Sequence, residues 1–257
     1  MKRNKAQISL FLILGLILLF VGWIGFYFVT SFKEVKSSET EKVSELPLSA
    51  VSIKNYIDVC VKKVAEEGVY FIGLQGGYYD APLLSDSLLN IRVPYYWHNE
   101  NNKMPNKDTM GQELSKYIKN KIPECTNNFK NFEESGYKFE IGNISAISNI
   151  ASENVIVEVD YPIKVNIGPN VAQFNKFISN ININFNKKYS FVKQIVIEQE
   201  KNPNSIPLGF ISHLAYENNF TFQYLNIEKN IVLYALIFDE GEYKEPFIYA
   251  FMAKYNW

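Results

Sequence analysis

Any chemistry in this chain would have to come from carboxylates, because the groups that usually carry it are scarce. Only two histidines occur, His98 and His213, and neither stands in a metal-ligand spacing, so a histidine-based metal site is excluded by count. No G-x-S-x-G, P-loop or H-E-x-x-H string is present. Glu158 and Asp160 fall on one face of a run that alternates with Val157, Val159 and Tyr161. Two like carboxylates so placed could divide the work of acid and base, although the same alternation describes a plain solvated strand face. Asp239-Glu240-Gly241-Glu242 lacks the ligand spacing of a calcium loop and reads as an acidic turn. Gly73, Gly76 and Gly77 lack the dinucleotide-binding spacing and read as a tight structural loop. The expectation is therefore no catalytic residue, no metal and no cofactor.

Binding is better represented. On an alternating strand, Tyr95 and Trp97 would face one way and Tyr96 and His98 the other. One of these pairs is expected outside, as a surface for stacking on sugars or a partner protein, with core packing as the competing reading. Asn143-Ile144-Ser145 and Asn219-Phe220-Thr221 match the glycosylation acceptor triplet and would mark exposed loops if the domain lies outside the cell.

The first thirty residues decide where those groups would work. Lys2, Arg3 and Lys5 precede an uncharged apolar run over residues 8–29. About 22 residues at ~1.5 Å rise give a helix of roughly 33 Å, enough to cross a hydrocarbon core of ~30 Å. A cleaved secretory signal has a shorter apolar region, and a helix buried in a soluble core rarely runs this long without a charge. Residues 33–45 carry three Lys against four Glu, so the positive-inside rule keeps the N-terminus in the cytosol. The chain thus divides into a cytosolic basic leader at 1–6, a transmembrane helix at 7–32, a polar stalk at 33–46 and an extracytoplasmic domain at 47–257. The lipid bilayer is its first expected partner.

Lys5-Ala6-Gln7 resembles the processing site of archaeal class III signal peptides, found on archaellins and type IV pilins. The resemblance implies cleavage between Ala6 and Gln7 and a mature protein that keeps its apolar helix. Phe11 stands where bacterial pilins carry an acidic residue, which archaeal members commonly lack. Without the resemblance, the segment is an uncleaved anchor whose basic flank sets orientation. Gly15 and Gly22 share a helix face and permit close approach of identical or related pilin-like subunits, without forming a true small-xxx-small pair.

A net charge of -1 leaves no electrostatic footprint for nucleic acid, and 47% hydrophobic with 15% aromatic residues supports a folded domain. Cys60 and Cys125 are the only cysteines and both fall outside the membrane by this orientation, where a disulfide is the natural pairing. Two separate buried thiols are the alternative. A bridge closing a loop of about 66 residues stabilises by ~4 kcal/mol in the chain-entropy account.

Apolar spacing predicts an amphipathic helix over 50–67 ended by Gly68, then a short strand over 69–74 and a strand through Tyr95. A second helix is expected from Thr109, with Gln112 completing a capping box, and Pro123 ending it. Residues 137–150 and 155–167 read as a hairpin, 187–201 and 207–217 as helices, and 220–227, 231–238 and 247–255 as a three-stranded meander. The fold class is α+β: a transmembrane helix followed by mainly antiparallel sheet with packed helices. The order of anchor, Cys60 helix, Gly73-Leu74-Gln75-Gly76-Gly77-Tyr78, Val93-Pro94-Tyr95-Tyr96-Trp97, Cys125 and meander resembles a group of uncharacterised surface proteins of small-genome archaea. That resemblance implies an anchored ectodomain with a cysteine pair and brings no activity. The expected role is non-catalytic assembly or surface contact, and the alternative is an anchored hydrolase or glycan-processing enzyme using carboxylates alone.

Overall fold

The computed structural model describes residues 48–88, 90–241 and 245–257. The leader with Ala6 and Gln7, the apolar run at 8–29 and the stalk lie outside the described residues. Among the described residues no helix is long and apolar enough to cross a membrane.

Helix α1 (Leu48–Leu74) buries Ile53, Ile57, Val61, Val64, Ala65, Val69 and Ile72, an apolar stripe at helical spacing. It runs straight through Gly68, so both the expected stop and the strand over 69–74 are corrected to helix. The reason is close packing: a Cβ on Gly68 would lie 2.7 Å from Tyr117 Cδ1 and 2.8 Å from Leu114 Cδ1. Only a residue without a side chain lets α2 (Lys107–Cys125) approach this near. The helix ends instead where Gly76 (φ +54°) and Gly77 (φ +81°) turn left-handed and the Gly77 N–H donates back to Ile72 O.

Helix α2 starts two residues before Thr109, because Asn106 caps it by accepting the Thr109 N–H at 2.8 Å. It buries the expected stripe of Met110, Leu114, Tyr117 and Ile118. Pro123 does not stop it. Proline removes one backbone bond near the helix end, and the last turn is held by the Thr126 N–H and hydroxyl, both donating to Ile122 O, and by the Tyr56 hydroxyl donating to Cys125 O. The Cys60–Cys125 disulfide, with Cα atoms 5.7 Å apart, then fastens α2 to α1.

Two sheets flank these helices. The larger has the strand order β1 (Ser85–Leu88), β2 (Ile91–His98), β10 (Phe247–Lys254), β9 (Ile231–Phe238), β8 (Thr221–Glu228), with the short β3 (Asn101–Asn102) also on β2. Strands β8, β9 and β10 form the expected meander, and β2 joins it parallel to β10. The smaller sheet is built on the long β6 (Val155–Ile167), paired along one edge with β7 (Asn170–Ile181). Strands β4 (Lys138–Ile141) and β5 (Ser145–Ile150) lie end to end on its other edge. Between them β6 is irregular at Tyr161-Pro162, where proline cannot donate and its carbonyl accepts the Gly142 N–H at 2.7 Å. The free edge of β5 is closed by α2: Ser115 Oγ accepts the Ser148 N–H, and Gly111 lies so near Ser148 O that a Cβ would sit 2.5 Å from it.

The α+β class holds, and one core joins both sheets with α1, α2, α4 (Phe185–Lys201) and α5 (Leu208–Glu217). The four-residue α3 (Lys130–Glu133), not foreseen from sequence, follows a left-handed turn at Asn127, Asn128 and Phe129.

Candidate functional site

The string Tyr95-Tyr96-Trp97-His98 does not form the expected outer surface. A register irregularity where β2 meets β10, between Met252 and Ala253, breaks the alternation. Tyr96 and Trp97 both enter the main core, and Tyr95 enters a smaller cluster with Val93, Ile231, Ala250 and Met252. All three are buried. Their polar atoms are spent inside. The Tyr96 hydroxyl donates to Gly76 O at 2.8 Å and pairs with the Tyr249 hydroxyl at 2.9 Å. Trp97 Nε1 donates to Pro203 O, and the Tyr95 hydroxyl to Asp86 Oδ2. Burial pushes both the Tyr96 and Tyr249 hydroxyls well above their ordinary pKa. His98 is half-buried, its ring edge-on to Tyr95 at 5.3 Å, and desolvation with Lys254 and Lys103 nearby lowers its pKa. The tetrad is a brace between α1, the large sheet and the loop after α4.

The other candidates scatter. Glu158 and Asp160 are exposed on the outer side of β6, Glu158 between Ile147 and Ile178 and Asp160 between Ser145 and Lys176 across the neighbouring strands. His213 is exposed on α5. Asn143 and Asn219 are both exposed. In the acidic turn, Asp239 Oδ1 accepts the Gly241 N–H, and Glu240 turns inward to Lys188, Nζ to Oε1 2.6 Å, with both side chains nearly sealed from water. Among the described residues no group of three or more His, Cys, Asp or Glu side chains could hold a metal ion.

What the fold does assemble is a groove of about 690 Å³ across the outer face of α1. Lys62, Glu66, Glu67, Tyr70 and Phe71 of α1 line it, with Tyr117 of α2 beside them. Asn180 to Ile183, at the end of β7, and Glu245, just before β10, complete it. Its size falls among pockets that hold drug-sized ligands. Tyr70 is propped against Phe247 at 5.5 Å, and its hydroxyl leans on Glu245 O at 3.4 Å. Phe71 and Tyr117 pack ring on ring at 5.2 Å. Burial raises the Tyr70 pKa, and the carboxylates of Glu240, Glu66 and Glu245 raise it further; Tyr117 is raised by burial and then by Glu67. The groove is therefore aromatic underneath and negative at its rim.

Gly68 conceals this site in the sequence. Lys62, Glu66 and Tyr70 recur at i, i+4 and i+8, as do Glu67 and Phe71 at i and i+4, but only if the helix continues past Gly68. A helix that stopped at Gly68 would leave both aromatics on a strand and break the stripe. Comparison with known proteins adds no relative: no family model, no curated protein and no solved structure matches this chain.

Proposed function

We propose that this chain is a single-pass, pilin-like membrane protein that displays residues 47–257 outside the cell for assembly or surface contact. The observation that carries the outward placement is the Cys60–Cys125 bridge, since such bonds persist in oxidising surroundings. It agrees with the orientation read from Lys2, Arg3 and Lys5. The groove on α1 supplies a contact site.

Protease added to intact cells, followed by peptide mapping, tests this reading. Loss of peptides from 47–257 with the membrane intact is the expected result, and their full protection overturns the placement. A mature N-terminus at Gln7 supports pilin-type processing; an intact Met1 removes it.

A second reading, an anchored carboxylate-based hydrolase or glycan-processing enzyme, is favoured by one observation: Glu66, Glu67 and Glu245 line the same groove. Hydrolysis of a surface glycan that is lost in Glu66→Gln and Glu245→Gln variants would support it over simple contact.

A further inference from the structure

We infer that the groove on α1 recognises a cationic stretch of polypeptide, taking a lysine or arginine side chain of a partner protein against its aromatic rings. The inference rests on the reading of the groove as a contact site and adds the chemistry of the occupant.

Charge makes the first argument. Three carboxylates, Glu66, Glu67 and Glu245, face one ammonium, Lys62. Among the described residues Glu66, Glu245 and Lys62 form no ion pair within 4 Å, and Glu67 is held only by Lys63 at 3.9 Å with both side chains more than half exposed. Among the described residues the rim thus carries more carboxylates than ammonium groups. An anionic guest is repelled, and a cation gains from several sides.

Ring chemistry makes the second. Tyr70, Phe71 and Tyr117 present aromatic surface to the same space, and aromatic faces attract ammonium and guanidinium groups, arginine above all because its plane also stacks. The fold already satisfies such contacts elsewhere with its own lysine: Lys188 Nζ lies 5.4 Å and 5.3 Å from the ring centres of Phe238 and Phe247. Among the described residues no lysine or arginine lies over the rings of Tyr70, Phe71 or Tyr117. Asn180 and Asn182 make no side-chain hydrogen bond among the described residues, so their amides are available to the backbone of an extended peptide.

The test uses the full chain in detergent micelles with acetyl-tetraarginine amide as probe, acetyl-tetraglutamine amide as neutral control and maltohexaose as sugar. Saturable binding of the arginine peptide, at least tenfold tighter than either comparison, is expected. Glu66→Gln and Glu245→Gln should each weaken it two- to fivefold, as exposed charge pairs do, and 0.5 M salt should weaken the wild type similarly. Tyr70→Phe should bind nearly as wild type and Tyr70→Ala should not, which separates ring contact from the hydroxyl. Equal binding of the two peptides, or arginine binding untouched in the Glu66→Gln/Glu245→Gln double variant, overturns the inference. Preferential binding of maltohexaose that falls in Tyr70→Ala also overturns it, while leaving the groove as a contact site for glycans. The placement of the domain outside the cell is tested separately by protease, so neither failure is mistaken for the other.

Discussion

Substituting Glu240 with Gln strands a buried ammonium, and the size of the loss can be worked from its surroundings. Lys188 and Glu240 lie 2.6 Å apart with side-chain exposures of 9% and 11%. Removing one partner of such a pair costs about 3–5 kcal/mol, because the other charge is left in poor solvent. Here the ammonium also rests near the rings of Phe238 and Phe247, each contributing about 0.5–1 kcal/mol. The expected cost of Glu240→Gln is therefore about 1–4 kcal/mol. Lys188→Met should cost less, about 1 kcal/mol, since Met suits the ring contacts and Glu240, on a turn, can swing out to water. The double variant should return to within about 1 kcal/mol of wild type, as apolar replacement of buried pairs generally does. Urea unfolding of the full chain in detergent, followed by tryptophan fluorescence, measures all three; with a slope of about 2 kcal/mol/M, Glu240→Gln lowers the midpoint by roughly 0.5–2 M. Strictly additive losses in the double variant would refute the reasoning, because they would mean the pair is two independent surface charges.

Reduction of Cys60–Cys125 should lower stability by up to about 4 kcal/mol, the loop-closure value for a sequence separation of 65, seen as a lower urea midpoint in reductant that the Cys60→Ala/Cys125→Ala variant no longer shows. Alkali should unfold the protein by a tyrosine mechanism. Burial, slightly offset by the hydrogen bond from Tyr234, pushes Tyr255 up to about 12, above its ordinary value near 10. Its protonated form is stabilising in full below pH ~10, and that contribution falls as pH rises from about 10 to 12, by up to about 3 kcal/mol. Tyr96, Tyr234 and Tyr249 are raised as well and act in the same direction. Phenolate absorbance and circular dichroism should therefore change together above pH 10; ionisation of the buried tyrosines with the fold intact would contradict this.

Alternation and helical spacing made most of the fold legible. Val155, Val157, Val159 and Tyr161 announce β6, and the β8–β9–β10 meander follows from its turns, because local patterning and burial agree there. Misreadings cluster where tertiary packing overrides a local signal. Gly68 looks like a terminator, yet it is a contact point for Leu114 and Tyr117, a fact located on another helix. Pro123 looks like a stop, yet the last turn of α2 is held from outside by Tyr56 and the bridge. The aromatic string in β2 suggests strict alternation, yet the irregularity facing β10 depends on a strand some 150 residues away. Of the site, its residue types were visible and its assembly was not: α1, α2, the end of β7 and Glu245 meet only in the folded chain.

The position of the bridge along α1 has a mechanical consequence. Cys60 lies about three turns from the start of that helix, and Cys125 ends α2. Tension applied at the N-terminal end of the domain can peel those three turns and then meets a covalent link, so further load passes into α2 and through its seam with β5 instead of unzipping α1 from the core. On the anchor proposed above, the domain could thus be drawn out by only those three turns before its whole body must resist.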